Sequence, residues 1–557
     1  MVILPAALAL LLASPQSLTE TIEVRLHTVD VVVTNAGGEP VTGLRADDFE
    51  ILEDGVPQNV TNFSAFSETA PTRSAQPGSE QAPPRTLVFF IDEMGLVGST
   101  RDDLLANLRA FTANLREGDR AAVVRPSEAT TIALKLTSDR QVIERDLEAA
   151  LSDSVIKGRR VGLAGDYYWY QRDKQMAMGS NAARTVVRRA AARTTQRVKQ
   201  RLGTIRAIIA TLAPIEGRKV LIGVTQSLSA EPGREFFDDY INSHRNERFS
   251  VASEVLDLEQ RVSSETVNGG ERDLVLKDMR EAIAGIARVA SSNGVTFYAI
   301  RPENDLTLSD ATPDLAFVST SQHVAMNSCP NMSKALFLQG AIGNTENGVN
   351  PLVDITGGRH FDPSDRFSDV MRRIAGDLSS YYSLAYHGQA GLDRPRKIAV
   401  RVRNRPDLQV RARSEVESKS APRELTDRVV SSLVATQAPN DLGIAVRAGS
   451  KTGRKDKTLT IDILIPLAAL SFERTGNVYR ASYSAHYAIT GHATDFVSGV
   501  DRDRTIEIPA RDFEVARTQH WTHTVTMNGT GQEYRVAVGV MDLRNERSGI
   551  VTVDIAK

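Results

Sequence analysis

The residues that could do chemistry lie where a strongly apolar segment ends. The run from Thr86 to Asp92 reads Thr-Leu-Val-Phe-Phe-Ile-Asp, and Ser99 and Thr100 follow before a helix that is predicted to begin near Asp102. In sheets of parallel strands, ligands gather beyond the carboxyl ends of the strands. Carboxylate and hydroxyl oxygens are ligands that hard divalent cations accept. The segment therefore indicates a ligand site at a sheet edge, with Asp92 as its first candidate.

Catalytic constellations are weak elsewhere in the chain. The nine histidines are scattered, and none has the His-Glu-x-x-His spacing of a zinc protease. There is no Gly-x-Ser-x-Gly elbow, and the Gly357-Gly358 turn lacks the lysine of a phosphate loop. Cys329 is the only cysteine, which excludes an intramolecular disulfide and a cysteine-based zinc site. These observations favour a protein without enzymatic activity and without a cofactor, with a hydrolase whose site lies in the insertions as the least favoured alternative.

Length and composition limit the class of protein. A chain of 557 residues is too long for one core, and roughly three or four domains are expected. Apolar residues make up 41% and charged residues 24% of the chain, as in ordinary folded proteins. The formal net charge of -2 gives no global attraction to nucleic acid, so no nucleic-acid partner is expected.

The chain opens on an apolar stretch, Val2 to Ser14, that has the length of a signal-peptide core and is too short to span a bilayer. We interpret residues 1–17 as a signal peptide, which predicts an exported protein, periplasmic or extracellular. The alternative is a buried N-terminal helix. No later segment is apolar enough to predict an integral membrane span.

The elements that must position Asp92 follow from the hydrophobic periods. Residues 18–69 alternate with period two and contain the hairpin signal Asp54-Gly55, which predicts a small β unit that packs on a neighbour. A Pro-rich linker is predicted over 70–84. In residues 85–416 strands alternate with amphipathic helices, which predicts a doubly wound, mainly parallel sheet. Residues 420–557 read as successive strands and predict an antiparallel β-sandwich.

Several predictions concern details of the α/β region. Segments 397–402 and 408–413 are expected to form a strand pair that closes it, and Ile132 to Leu136 a hairpin neighbour of strand 120–126. Ser364 is placed to cap the last helix, and Gly357-Gly358 is expected to form a tight turn before a strand. Three insertions enlarge the region, and they are predicted at 153–212, 228–273 and 305–350.

Motifs at both ends of this region resemble a known family. The family's opening signature matches Val31-Val-Val-Thr34, Pro40-Val-Thr-Gly-Leu44 and Asp48-Phe-Glu-Ile-Leu-Glu-Asp-Gly55, and its closing signature matches Asp354-Ile-Thr-Gly-Gly358, Tyr381-Tyr-Ser-Leu-Ala-Tyr386 and Lys397-Ile-Ala-Val-Arg-Val402. The chain thereby resembles the von Willebrand factor A-related (vWA) proteins of the Acidobacterial type over about residues 24–413. The resemblance implies an exported protein with a vWA-like α/β domain that binds other proteins.

The same resemblance implies a metal-ion-dependent adhesion site, and this chain departs from it. The family pattern Asp-x-Ser-x-Ser corresponds to Asp92, Met94 and Leu96, so both hydroxyls are missing. The aspartate that follows the central strand is also missing, because Thr225 leads into Gln226. The remaining candidate ligands are Asp92, Glu93, Ser99 and Thr225, with Thr100 also within reach. They predict a degenerate site that holds at most a weak, water-rich Mg²⁺, and the other interpretation is that Asp92 caps the following segment or binds backbone amides.

A basic insertion is the other notable segment. Residues 174–214 contain nine lysines and arginines and no acid, with apolar residues on one helical face. Such a face could bind an anionic surface or an acidic partner, but a solvated helix paired with acids from elsewhere is the favoured interpretation. The aromatic run Tyr167 to Tyr170 is expected to seal the insertion onto the domain. The members of the apolar face are Val187, Ala191, Val198, Leu202, Ile205 and Ile209.

The favoured functional hypothesis is an exported, non-enzymatic protein that recognises a protein partner in the cell envelope or outside the cell. Its contact surface would be the sheet edge together with the insertions. The alternative is a cation-dependent adhesion module that uses Asp92. The ligand and the oligomeric state are left open by the sequence.

Overall fold

The computed structural model describes most of the chain. The described ranges are 26–67, 83–92, 98–126, 134–151, 162–176, 180–213, 215–226, 228–244, 270–302, 330–388, 393–417, 419–433, 439–452, 457–492, 495–529 and 534–555. The predicted signal peptide, most of the predicted linker, Glu93 and Cys329 lie outside these ranges. Within the described ranges, none of the helices combines the length and apolarity that crossing a bilayer requires.

A five-stranded parallel sheet forms the centre of the α/β region, as predicted. Its order is β6-β5-β7-β8-β9, so the first strand of the unit has the second on one side and the third on the other. The first three strands are fully or largely buried and carry the continuous apolar runs typical of a sheet covered on both faces. The strands are β5 (Arg85–Ile91), β6 (Arg120–Val124), β7 (Arg218–Val224), β8 (Val295–Ile300) and β9 (Arg359–Phe361).

Helices cover both faces of this sheet, which confirms the doubly covered α/β arrangement. One core joins alternate residues of β5 and β7 to the helices α1, α2 and α8. The core on the other face joins the intervening strand residues to α4, α6 and α7. The helices of the region are α1 (Gly98–Ala113), α2 (Arg140–Leu151), α3 (Gly162–Met176), α4 (Ser180–Leu212), α5 (Arg234–His244), α6 (Gly270–Ser292), α7 (Pro330–Thr356) and α8 (Phe367–Ser379).

The N-terminal β unit is completed by strands that follow the α/β region. Two four-stranded sheets form, in the orders β12-β1-β10-β4 and β13-β11-β2-β3, and their apolar residues share one core. Each sheet therefore combines strands from the two sides of the α/β region. The strands are β1 (Leu26–Thr34), β2 (Phe49–Glu53), β3 (Val56–Gln58), β4 (Val60–Ser67), β10 (Ser380–His387), β11 (Pro395–Val402), β12 (Gln409–Ala412) and β13 (Glu415–Glu417).

This pairing differs from one prediction. Segments 397–402 and 408–413 do form strands, but they lie in different sheets and pair with β2 and β1 instead of with each other. Neither strand belongs to the parallel sheet. Both segments contribute apolar residues to the core of the β unit, among them Ile398, Val402 and Leu408.

The two signature blocks of the sequence meet at one tyrosine. The hydroxyl of Tyr382 donates to the carbonyl of Val41 at 2.8 Å and accepts from the amide of Leu44 at 3.2 Å. The Pro40-to-Leu44 loop is thereby held against β10, with Tyr382 and Val41 separated by 341 residues in sequence. The β unit thus depends on residues from both signature blocks.

The C-terminal region contains the predicted antiparallel sheets. The orders are β14-β15-β19 and β16-β17-β20-β21, with β18 paired to β17, and both sheets contribute to one apolar core. A helix that was not predicted, α9 (Ala421–Ser432), packs Leu425 and Val429 on the outer face of the second sheet. The strands are β14 (Ala445–Thr452), β15 (Lys457–Pro466), β16 (Glu473–Thr475), β17 (Val478–His492), β18 (Asp495–Pro509), β19 (His520–Gly529), β20 (Tyr534–Asp542) and β21 (Ser548–Ile555), and a short helix, α10, spans Phe513–Ala516.

Of two local predictions, the Ser364 cap is wrong and the Gly357-Gly358 turn is confirmed. Ser364 does not cap α8, because the N-cap residue is Arg366 and no side chain bonds to the first turn. Gly357 does form the predicted turn with φ +77, and a Cβ at Gly358 would lie 1.8 Å from the carbonyl oxygen of Phe297. The double glycine is therefore required by a close approach of backbone to β8.

Candidate functional site

The candidate site lies where the order of the parallel sheet reverses. Asp92 follows β5 and Thr225 follows β7, and these two strands are hydrogen-bonded neighbours. The amide of Asp92 continues the pairing by donating to the carbonyl of Val224 at 2.8 Å. Ligand sites of doubly wound sheets form at this position, because the connections leave it in opposite directions. The structure thus brings two of the predicted residues together.

Both carboxylate oxygens of Asp92 are held by an arginine from α4. Arg201 Nε donates to Oδ2 at 2.6 Å, and Arg201 Nη2 donates to Oδ1 at 2.8 Å. Thr225 Oγ1 donates to the same Oδ2 at 3.0 Å. The side chains of Arg201 and Asp92 are only 3% and 0% exposed. This is the bidentate geometry in which a guanidinium binds a carboxylate most strongly.

A second arginine, one turn earlier on α4, extends the network to α3. Arg197 Nη2 donates to Asp166 Oδ2 at 2.5 Å, and Arg201 Nη1 donates to the carbonyl of Arg197 at 3.1 Å. Burial raises the pKa of the Asp166 carboxyl, although the charge of Arg197 opposes this shift. Burial is the largest influence on Arg201 and disfavours its charge, but the attraction and the hydrogen bonds of Asp92 together outweigh it, and the pKa of Arg201 is raised. Arg201 therefore remains charged at neutral pH.

The ends of β8 and β9 carry a comparable arrangement. Arg301 follows β8 and donates to Glu346 of α7 at 2.6 Å and to Asp362, which follows β9, at 2.8 Å. The Arg301 side chain is 9% exposed. Among the described residues, the charged groups that follow β8 and β9 thus bind each other, and the one that follows β5 binds α4.

A buried glutamate lies beside this rim. Glu235, in the first turn of α5, accepts from Asn344 Nδ2 at 3.4 Å, and burial raises its pKa to about 7. Asn344 also fixes the loop before α5, because its side chain bonds both the amide and the carbonyl of Glu231 at 2.7 and 2.6 Å. The Glu231 carboxylate in turn binds Arg234 and Arg280. The loop after β7 is therefore fastened to α7 and α6.

The aromatic run of the insertion seals α3 onto the domain, as expected. Tyr170 is fully buried against Phe236 and Phe337, with ring centroids 5.0 and 6.4 Å away. Its hydroxyl donates to Asp239 at 2.9 Å, and Lys174 binds the same carboxylate at 2.8 Å. The apolar face predicted for α4 is also confirmed, since all six of its residues are buried.

The outward face of the α3–α4 hairpin is basic and aromatic. On α3, Trp169 and Met176 are 44% and 62% exposed, and the guanidinium of Arg172 lies 5.0 Å from the Trp169 ring centroid. Helix α4 contains no acidic residue. Its exposed stripe repeats with the helical period and consists of Thr185, Arg188, Arg189, Ala192, Arg193 and Gln196. We call Trp169, Arg172, Arg188, Arg189 and Arg193 the hairpin surface.

In the C-terminal sandwich, His523 forms hydrogen bonds through both of its ring nitrogens. His523 Nδ1 bonds the Tyr483 hydroxyl at 3.0 Å and Nε2 bonds Asp501 at 3.0 Å, while Trp521 Nε1 donates to Tyr483 at 3.0 Å. Burial lowers the pKa of His523 despite the opposing charge of Asp501. The group connects β17 and β18 of one sheet to β19 of the other, which assigns it a structural role in closing the sandwich.

Of the candidate metal ligands, Asp92 and Thr225 come together, while Glu93 and the side chain of Ser99 lie outside the described residues. Among the described residues the side chain of Asp92 bonds Arg201 and Thr225, and the segment that it was expected to cap lies outside them. The sequence carried a signal for this partner. Arg201 is three residues after Val198 and four before Ile205, so it falls on the apolar face of α4, where an arginine requires a buried acid.

The donor set of the described residues does not fit a divalent cation as it stands. Magnesium requires oxygens at about 2.0–2.1 Å in an octahedron and keeps several waters. The Asp92 oxygens that would serve it bind Arg201, and the carboxylate is sealed from solvent. Among the residues that the structure describes, no group of three or more His, Cys, Asp or Glu side chains is placed to hold a metal.

Comparisons with known proteins give little similarity. No protein-family model matches the chain, and no curated protein matches it. One solved structure with local similarity is described as the X-ray structure of Northeast Structural Genomics Consortium target SoR45. It is 13% identical, covers 21% of this chain and 89% of its own, and has a TM-score of 0.14.

Proposed function

We propose that the chain is an exported, non-enzymatic binding protein, built around a vWA-like domain with a degenerate metal site, that recognises a protein partner in the cell envelope or outside the cell. The observation that carries the proposal is the closed rim of the parallel sheet. Asp92, which in a metal-dependent adhesion site would be open to a cation and its ligand, is buried under Arg201. Recognition must then use surfaces beside the rim.

The hairpin surface is the contact region that best suits this role. Arginine and tryptophan are the residues most enriched at the energetic centres of protein interfaces. Here Trp169 is exposed while its neighbour Tyr170 anchors the helix, so the ring is presented on a fixed support. Exposed charges of one sign also steer a partner of opposite sign. An acidic protein surface is the partner that this chemistry selects.

The test is capture of partners from the envelope fraction of the source cells by the purified chain. We expect an acidic protein to be retained by the wild type and to be lost from the triple variant R188E/R189E/R193E. Retention should fall steeply with added salt, because exposed charges are screened within about 8–10 Å at physiological ionic strength. W169A should weaken retention at low and high salt alike, because the aromatic contact that it removes is not screened by salt.

The matched control is R423E/R511E/R517E, which reverses three exposed arginines of the C-terminal region. It makes the same change in net charge outside the hairpin surface and should retain the partner. Equal losses in the two triple variants would show that only net charge matters and would contradict the assignment of the hairpin surface.

The alternative, a cation-dependent adhesion module that uses Asp92, requires Arg201 to release both carboxylate oxygens before a cation could enter. Partner capture that disappears on chelation and returns with magnesium would support that alternative. A hydrolase with a site in the insertions is the third candidate, and release of product from a panel of ester and peptide substrates would favour it.

A further inference from the structure

We infer that the guanidinium of Arg201 takes the place of the divalent cation at the edge of the parallel sheet, so that the insertion helix supplies a resident, covalently attached cation. This inference rests on the proposed vWA-like site and stands whether or not the hairpin surface binds the proposed partner. It also predicts that a cation site appears when the guanidinium is removed.

The first argument is the position of the guanidinium. Asp92 follows the first strand of the unit and Thr225 follows the neighbouring strand, and their side-chain oxygens converge to 3.0 Å. An aspartate and a threonine at the two sides of a switch point form an oxygen-lined corner that suits a hard cation. Arg201 Nε and Nη2 enter this corner and bind the two oxygens of Asp92 at 2.6 and 2.8 Å.

The second argument is charge. The Asp92 carboxylate is excluded from solvent, and a buried carboxylate is tolerated only when a cation or several donors compensate it. Arg201 supplies one positive charge and two of the donors, and Thr225 supplies a third. The arrangement is therefore electrically complete without a metal ion.

The third argument is the origin of the arginine. Arg201 belongs to α4, the helix that also carries the hairpin surface, and Arg197 on the preceding turn binds Asp166 of α3. The carboxylate that could have bound an external cation instead fastens the insertion to the sheet. Met94 and Leu96 stand where the family pattern has serines. Their lack of hydroxyls agrees with the exchange, because a corner filled by a guanidinium requires no further oxygen ligands.

The experiment is a Mn²⁺ titration of the full chain, followed by the paramagnetic signal of free Mn²⁺ and by the thermal unfolding midpoint. Wild type and D92N should bind no ion at this site and should have midpoints that Mn²⁺ does not change. In R201S the vacated corner should bind one Mn²⁺ per chain in the millimolar range, with a rise in the midpoint. The double variant R201S/D92N should lose this binding.

Two results would overturn the inference. One is stoichiometric Mn²⁺ binding by the wild type that D92N abolishes, since the corner would then accept a cation with Arg201 present. The other is a folded R201S that gains no Asp92-dependent Mn²⁺ binding. If R201S does not fold, R201Q is titrated in its place, and the comparison of wild type with D92N still decides the first result.

Discussion

Arg201 and Asp92 lie 109 residues apart in sequence and form a bidentate ion pair inside the protein, at the edge of the parallel sheet. Such a pair contributes less to stability than its attraction suggests, because both groups lost their hydration. Removing one member is a different matter, because the other remains buried and unpaired. The pair therefore makes a prediction about single and double substitutions.

R201M should destabilise the chain by about 3–5 kcal/mol, since it leaves the Asp92 carboxylate buried without its cation. The double variant R201M/D92N should recover most of that loss, because an amide in place of the carboxylate carries no charge. Chemical denaturation of the wild type, R201M, D92N and R201M/D92N gives the coupling free energy of the pair. Additive effects would show that the two side chains do not interact in solution.

The β unit offers an independent test of the same physics. Arg396 on β11 binds Glu53 on β2 at 2.5 Å, and the two side chains are 1% and 0% exposed. E53A should cost about 3–5 kcal/mol. E53L/R396M, which replaces the pair by apolar side chains, should cost much less. Similar losses in the single and double variants would contradict this prediction.

Stability should fall with rising pH because of Glu235. The pKa of the Glu235 carboxyl is 4.5 in the unfolded chain and about 7 in the folded protein. Burial raises it, and the nearby charges of Asp166 and Asp238 add to the rise. The folded state thus holds the proton more tightly. Its stabilising effect is complete below the unfolded pKa and disappears as the pH rises through 7.

The loss should approach about 3 kcal/mol, the free-energy equivalent of this shift. E235Q cannot ionise, so it should match the wild type in acid and exceed it in free energy of unfolding above neutral pH. E148Q, on the exposed face of α2, is the control and should follow the wild-type profile. Parallel profiles for E235Q and the wild type would rule out the assignment.

Glycine substitutions test the close contact between β8 and the turn that joins α7 to β9. G358A should destabilise the chain severely, because the added Cβ would lie 1.8 Å from the Phe297 carbonyl oxygen. G285A is the matched control, since a Cβ within helix α6 meets no atom within 4 Å. It should stabilise the helix by up to about 1 kcal/mol. A mild effect of G358A would show that the turn can shift.

The sequence predicted the parallel sheet and the C-terminal strands well, because continuous apolar runs and alternating runs are local patterns. It did not predict which strands pair, since β11 and β12 find partners in β2 and β1 far away in the chain. Helix α9 was missed because its buried face rests on only a few residues, among them Leu425 and Val429.

At the candidate site, the sequence analysis identified Asp92 and Thr225 but not their partner Arg201. Asp92 and Thr225 were identified because each directly follows an apolar strand, and strand ends meet at one edge. Arg201 was grouped with the solvated arginines of α4, although its spacing from Val198 and Ile205 places it on the buried face. The spacing indicates that Arg201 needs a buried acid, but tertiary packing decides which acid, 109 residues away, it binds.

The β unit has a consequence for synthesis. Its first four strands are synthesised long before β10 to β13. The loop at Val41 is held by Tyr382, which is 341 residues later in the chain. Strands with open edges are prone to pair with other chains while they wait. A truncated chain that ends before β10 should therefore aggregate more than the full chain, because β1 and β4 would lack their partner strand.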